Sequence, residues 1–108
     1  MELTYKTKKL RNLCENSKFN KELVKGYGVD VAKKLPQRIK ELKAFESLND
    51  VPVFPPFRRH KLKGDKSELY AVNINMQYRL IFKVLNKIVD DLKNIDKIMI
   101  MEVSKHYE

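Results

Sequence analysis

Apolar residues fall at Val31, Leu35, Ile39, Leu42 and Phe45, at intervals of four, four, three and three. That spacing gathers them on one stripe of an α-helix and predicts a helix of about four to five turns packed against a sheet. Pro36 lies inside the stripe and predicts a kink or a break, because proline withholds one backbone donor and crowds the preceding turn. The apolar period continues on both sides of the proline, which favours the kink. Earlier in the chain, residues 3–6 read as a short strand and Thr7 as a helix N-cap. Residues 8–15 place Leu10, Leu13 and Cys14 on one helical face. A second short helix starting near Ser17 carries Phe19 and Leu23, and Gly26 and Gly28 close it. Residues 49–56 hold three of the four prolines and predict an extended connector.

The period changes from helical to twofold in the second half. Residues 59–62, 69–75, 78–85 and 97–103 read as strands, with turns at 64–67 and at Asn75-Met76-Gln77. Tyr70, Val72 and Ile74 share one face against Ala71, Asn73 and Asn75, the alternation of a half-buried antiparallel strand. Tyr78, Leu80 and Phe82 likewise oppose Arg79 and Ile81. Between the last two strands, residues 86–96 form an acidic loop with Asp90, Asp91 and Asp96. The expected fold is α+β, with N-terminal helices packed on a small antiparallel sheet, in one domain spanning residues 1–108.

Charge narrows the function classes. Lys and Arg number 23 against 14 Asp and Glu, a formal net charge of +9, which points to a polyanionic partner: nucleic acid, an acidic protein or an anionic membrane surface. No run reaches the ~18 apolar residues of a membrane span and no signal-peptide core follows Met1, so a cytoplasmic protein without a membrane association is expected. Cys14 is the lone cysteine beside two histidines, too few for a disulfide framework or a zinc site, and its helical spacing marks it as a small core residue. Three glycines form no phosphate-binding loop. No metal or cofactor is expected.

Cleaving RNA without a metal requires a base for the ribose 2′-hydroxyl, an acid for the leaving 5′-oxygen, and cations for the charge on phosphorus. Histidine suits either proton role, and the chain has His60 and His106, one before the sheet and one after it. Each alone is an ordinary surface histidine; the cations Arg58, Arg59, Lys61 and Lys63 around His60 change that reading. Strand alternation turns Arg59 and Lys61 to one side and His60 to the other. The same cluster also reads as a solvated basic edge strand that discourages aggregation. Arg79 projects from a central strand where a permanent charge needs an anion or water. A phosphate held by its fork is one reading; an internal pair with Asp65 or Glu102 is the other. Tyr107, beside Lys105 and His106, is a candidate for stacking on a base, whereas Tyr70 and Tyr78 read mostly as core.

The run His60-x-Leu62-Lys63-Gly64-Asp65, followed by Tyr70, Asn75 and Tyr78-Arg79-Leu80-x-Phe82, resembles the HigB branch of the RelE/ParE toxin superfamily. The resemblance covers about half the chain closely and most of it in element order. It implies the toxin of a type II toxin–antitoxin pair that cuts mRNA on the ribosome without metal until an antitoxin, here a HigA-like helix-turn-helix protein, binds it. It further implies catalytic roles for His60, Lys63, Arg79 and His106, with Arg58, Arg59, Lys61, Lys105 and Tyr107 binding RNA. Members of the branch often end in Asp-Tyr-His, whereas here Ser104 and Lys105 precede His106 and Tyr107 follows it, which leaves open which group is the acid. The rival readings are a ParE-like gyrase-inhibiting toxin and a non-catalytic RNA-binding module.

Overall fold

The computed structural model describes residues 1–63, 68–85 and 91–105. In chain order they form β1 (Glu2–Tyr5), α1 (Lys8–Glu15), α2 (Asn20–Tyr27), α3 (Val29–Ala44), β2 (His60–Lys61), β3 (Leu69–Asn73), β4 (Tyr78–Val84) and β5 (Lys97–Lys105). Thr7 caps α1 as its position predicted: its backbone is extended and its hydroxyl oxygen accepts from the Leu10 amide at 3.1 Å, a contact worth about 1 kcal/mol. A single 3-10 turn, Ser17–Phe19, leads into α2. Gly28, at φ +94°, separates α2 from α3, a backbone conformation that a side chain would strain. Gly26 lies within α2 and closes nothing.

Helix α3 runs unbroken for 16 residues through Pro36. Its apolar stripe is continuous on both sides of the proline: Val31, Leu35, Ile39 and Leu42 are each at most 2% exposed. That continuous burial outweighs one missing backbone hydrogen bond.

The sheet order is β1-β5-β4-β3-β2. The strand expected at residues 3–6 is present as β1, so the sheet begins with a strand ahead of the helices. The expected antiparallel sheet needs correction, because β1 pairs with β5 in parallel and the sheet is mixed. A parallel neighbour demands a crossover connection, and the helical layer between β1 and the later strands supplies it. Tyr70, Val72, Leu80, Phe82, Val84, Ile98 and Ile100 face that layer and join Leu10, Leu13, Leu23, Leu35, Ile39 and Leu42 in one core. Each such side chain contributes about 1.5–3 kcal/mol when fully buried.

Two local features shape the side away from the helices. The first is a register shift between β4 and β5: Ile81 pairs with Glu102, but the next residue, Phe82, pairs with Ile100. Met101 is therefore an extra residue, a bulge that reverses which side chains of β5 face the core. Ile98 and Ile100 point inward before it and Val103 after it, while Glu102 and Ser104 are delivered to the opposite face. The second is the segment before β2. Instead of an extended connector it contains a 3-10 turn, Leu48–Asp50, and a tight loop. Leu48, Val51 and Phe57 are buried and draw the chain into the core. The Arg58 amide closes back on the Phe54 carbonyl at 3.0 Å, and the Asn73 amide meets the Phe57 carbonyl at 2.7 Å.

Candidate active site

In an antiparallel ladder, residues paired across strands share a face. His60 pairs with Ala71 and Ala71 with Ile81; Asn73 pairs with Arg79 and Arg79 with Ser104. These two rows lie side by side on the face turned away from the helices. His60 and Arg79 thus stand two strands and two residues apart, about 12 Å between α-carbons, from the usual strand spacing and rise. That span is within the combined reach of an imidazole and an extended guanidinium converging on one phosphate. Ala71 and Ile81 between them are buried and give the site an apolar floor.

The neutral ring of His60 is held in one tautomer. Its Nδ1 lies 2.9 Å from the Arg58 carbonyl oxygen, and a carbonyl oxygen only accepts, so Nδ1 carries the hydrogen and Nε2 is left to exchange protons. Arg58 presents that carbonyl from a left-handed backbone, φ +48°, which costs a non-glycine residue roughly 1 kcal/mol. The strain is sustained by the loop that closes from Phe54 to Arg58.

Arg79 is half-buried, and its Nε is buried with no hydrogen-bond partner among the described residues. No described carboxylate pairs with it, including Glu102, one of the two internal partners considered for it; the other, Asp65, lies outside the described residues. An orphaned guanidinium N–H costs free energy until an acceptor arrives, and a phosphate oxygen is the acceptor its planar fork fits best.

The remaining candidates divide between the faces. Lys61 pairs with Tyr70, and Lys105 with Tyr78, so both belong to the helical side of the sheet, at its exposed margins. Tyr78 packs edge-on against Tyr27 of α2, ring centres 5.5 Å apart, as a core-edge residue should. Arg59 donates through Nη1 to the Leu48 carbonyl, and burial lowers its guanidinium from the ordinary value, partly offset by the Tyr70 phenol. Its contact fastens the loop before β2. Lys63 is exposed just beyond β2, and Arg58 is exposed beside His60. His106 and Tyr107 lie outside the described residues, as do Gly64 of the quoted motif and residues 86–90 of the acidic loop.

Three neighbours complete the face; Asn73 and Ser104 carry no role in the sequence reading, and Glu102 enters it only as a possible partner of Arg79. Asn73 and Ser104 flank Arg79 across the ladder, and Glu102 ends the row that starts at His60. Strand alternation alone reveals Asn73; Ser104 and Glu102 emerge only once the bulge at Met101 is known. Arg38, buried on α3, supports the face from behind. Its Nε donates to the Asn73 carbonyl at 2.9 Å and its Nη2 to the Ile74 carbonyl at 3.2 Å, while its guanidinium lies 4.7 Å from the centre of the Phe57 ring. Cys14 is no nucleophile: burial pushes its thiol up to about 12, so it stays protonated at neutral pH. Among the described residues, no helix is long and apolar enough to cross a membrane.

Comparison with known proteins adds independent findings. In fold the chain is similar to a YoeB/ParE toxin from Agrobacterium tumefaciens, at 13% identity and TM-score 0.55, covering 99% of this chain and 100% of that one. It is similar to the YoeB–YefM complex from Staphylococcus aureus, at 18% identity and TM-score 0.56, over 99% and 98%. A copper-bound mutant toxin from Helicobacter pylori aligns at 22% identity and TM-score 0.53, over 98% and 94%. No curated protein matches the sequence. A model of one family, described as the RelE-like toxin of the type II toxin–antitoxin system HigB, matches residues 3–98. The chain therefore belongs to the HigB-like toxins, RelE-like members of type II toxin–antitoxin systems.

Proposed function

We propose that this toxin is a metal-independent endoribonuclease that cleaves mRNA on the ribosome, with the sheet face bearing His60 and Arg79 as its reaction centre. The observation that carries the reading is the pairing on one face of an imidazole with only Nε2 free and a guanidinium whose buried Nε lacks a partner among the described residues. The ribose 2′-oxygen attacks phosphorus as its proton passes to a base, a 2′-O–P bond forms and the P–O5′ bond breaks. A proton from an acid completes the 5′-hydroxyl and leaves a 2′,3′-cyclic phosphate. His60 takes one of these proton roles and His106 the other. Arg79 and Lys63 stabilise the charge that builds on the phosphoryl oxygens, each such contact being worth about 3–4 kcal/mol in a preorganised site. Arg58, Arg59, Lys61, Lys105 and Tyr107 hold the RNA chain around the site, with Arg59 acting through the loop it fastens.

Among the described residues the site is a face of the sheet that provides few groups to align a flexible strand; the ribosome, which fixes mRNA in an extended form, supplies that alignment. Silencing falls to a HigA-like antitoxin of helix-turn-helix type, and the setting is the cytoplasm, where both ribosome and antitoxin are found. Primer extension on mRNA in a translating extract tests the proposal. New 5′ ends within coding regions, dependent on added protein and on translating ribosomes, are expected. Intact mRNA together with arrested supercoiling by gyrase would replace the reading with a gyrase-directed toxin. Intact mRNA with toxicity that survives His60→Ala would leave only RNA binding.

A further inference from the structure

One buried cation stands behind both arms of the proposed reaction centre. Arg38 reaches from α3 to the end of β3 and is 7% exposed. Its Nε and Nη2 donate to the carbonyls of Asn73 and Ile74, and its Nη1 donates to Glu41 Oε1 at 2.8 Å. Successive carbonyls of a regular strand point in opposite directions, so one guanidinium can hold both only where the strand stops, and β3 stops at Asn73. The same guanidinium lies over the Phe57 ring, which also meets the Phe45 ring edge-on, centres 5.5 Å apart. From these contacts two short routes lead to the site. Asn73 is the ladder partner of Arg79. Phe57 precedes Arg58, whose carbonyl accepts from His60 Nδ1, and the Phe57 carbonyl itself accepts from the Asn73 amide. Packing alone does not join these segments, because a cleft of about 460 Å³ opens between α3, the loop and the end of β3, lined by Gln37, Pro56, Arg58, Asn73 and Met76.

We infer that Arg38 is a positioning residue for cleavage: by clamping Asn73 and Phe57 it holds the Arg58 carbonyl against His60 and keeps Nε2 as the atom that gains and gives up the proton. A buried cation paired with one carboxylate gains little stability over an apolar side chain of equal volume. What it supplies is direction, since a planar fork fixes two carbonyls and a ring at once. Arg58 has a left-handed backbone, which persists only where its surroundings hold it. Phe57 on one side is held by Arg38, and Arg59 on the other by its bond to the Leu48 carbonyl. Without the clamp the loop releases that strain, the carbonyl leaves Nδ1 and the neutral ring returns to a mixture of tautomers, while Asn73 no longer fixes the row of Arg79. The inference rests on the reading of the sheet face as the reaction centre, but the tautomer it concerns is measurable without any cleavage.

Long-range nitrogen–proton NMR spectra of the histidine rings test it on the intact chain, recorded above their titration range, with His60 assigned by its loss in His60→Ala. Arg38→Met keeps the volume and removes the fork and the charge. It should convert a ring held as Nδ1–H into a mixture of tautomers and slow mRNA scission on translating ribosomes by about tenfold or more. Arg38→Lys keeps the charge beside Glu41 but not the fork; it should melt near the parent's temperature and restore neither readout, and it decides the question if Arg38→Met does not fold. Ile39→Val, a core change on the same helix, should lower the melting temperature and move neither readout. The inference is overturned if folded Arg38→Met or Arg38→Lys protein keeps the parent's His60 tautomer, if Ile39→Val shifts that tautomer as far as they do, or if the tautomer shifts while scission stays at the parent's rate. Intact mRNA with the parent protein would instead reject the nuclease reading, so the two failures are distinguishable.

Discussion

Strands β3 and β4 offer the same backbone to two sides, and alternate residues along them meet opposite conditions. On the helical side Tyr70, Val72, Leu80 and Phe82 are sealed in the core, with the Tyr70 and Phe82 rings stacked 6.1 Å apart. On the other side stand His60, Asn73, Arg79 and Ser104, polar groups around a small apolar floor. One face stabilises by burying large apolar side chains against the helices; the other keeps a guanidinium N–H without a partner among the described residues, at a cost the first face sustains. The lesson is that stability and chemistry are separated by single steps along a strand.

Substitutions on the two faces should therefore act on different measurements. The largest effect belongs to the packed face: Phe82→Ala removes a ring that is fully buried and should lower unfolding free energy by about 3–5 kcal/mol, read by urea denaturation. A loss below about 1 kcal/mol would mean that the two faces do not differ as described. His60→Ala should slow mRNA cleavage by about a hundredfold or more while the urea midpoint stays near that of the parent, because His60 is exposed on a two-residue edge strand. Equal losses of stability and activity would erase the distinction.

Smaller effects sharpen the comparison within the helical layer. Thr7→Ala, which removes the α1 cap, should cost about 1 kcal/mol in thermal or urea unfolding and leave cleavage unchanged. The Glu15–Lys43 pair sits at the rim of a cleft between α1, α2 and α3. Burial pushes the Glu15 carboxyl up, but the hydrogen bond from Lys43 and the charges of Lys43 and Arg11 outweigh it and hold the group below its usual 4.5. A depressed carboxyl stabilises the fold above its unfolded value, and that contribution is lost as pH falls below about 4.5 through the folded value. Because both partners are about a third or more exposed, the loss should stay under about 1 kcal/mol. Glu15→Gln should remove that part of the acid-side slope in a pH series of unfolding curves.

Much of the fold is legible from periodicity. The α1 face with its Thr7 cap, the α3 stripe, the alternation of β3 and β4 and the outward projection of Arg79 all follow from spacing, because local backbone geometry alone decides them. Three features do not. The parallel pairing of β1 with β5 joins segments at opposite ends of the chain, and nothing local to either encodes its partner. The bulge at Met101 inverts the alternation of β5, so Glu102 and Ser104 read as inward and Val103 as outward until the register with β4 is known. The prolines of residues 49–56 suggest an extended run, but buried Leu48, Val51 and Phe57 fold the segment into the loop that positions Arg58. For the site, residue type and motif identify His60 and Arg79; the Nδ1 contact and the unpaired Nε that give them their chemistry arise only from tertiary placement.

The most direct test of the sheet face as a reaction centre is the rate of mRNA scission on translating ribosomes by Arg79→Ala relative to the parent, measured alongside the melting temperature of each. The substitution removes no ion pair among the described residues, so the account predicts an unchanged or slightly higher melting temperature and scission about a hundred- to a thousandfold slower. Scission within about twofold of the parent, from a variant that melts at the same temperature, would contradict it.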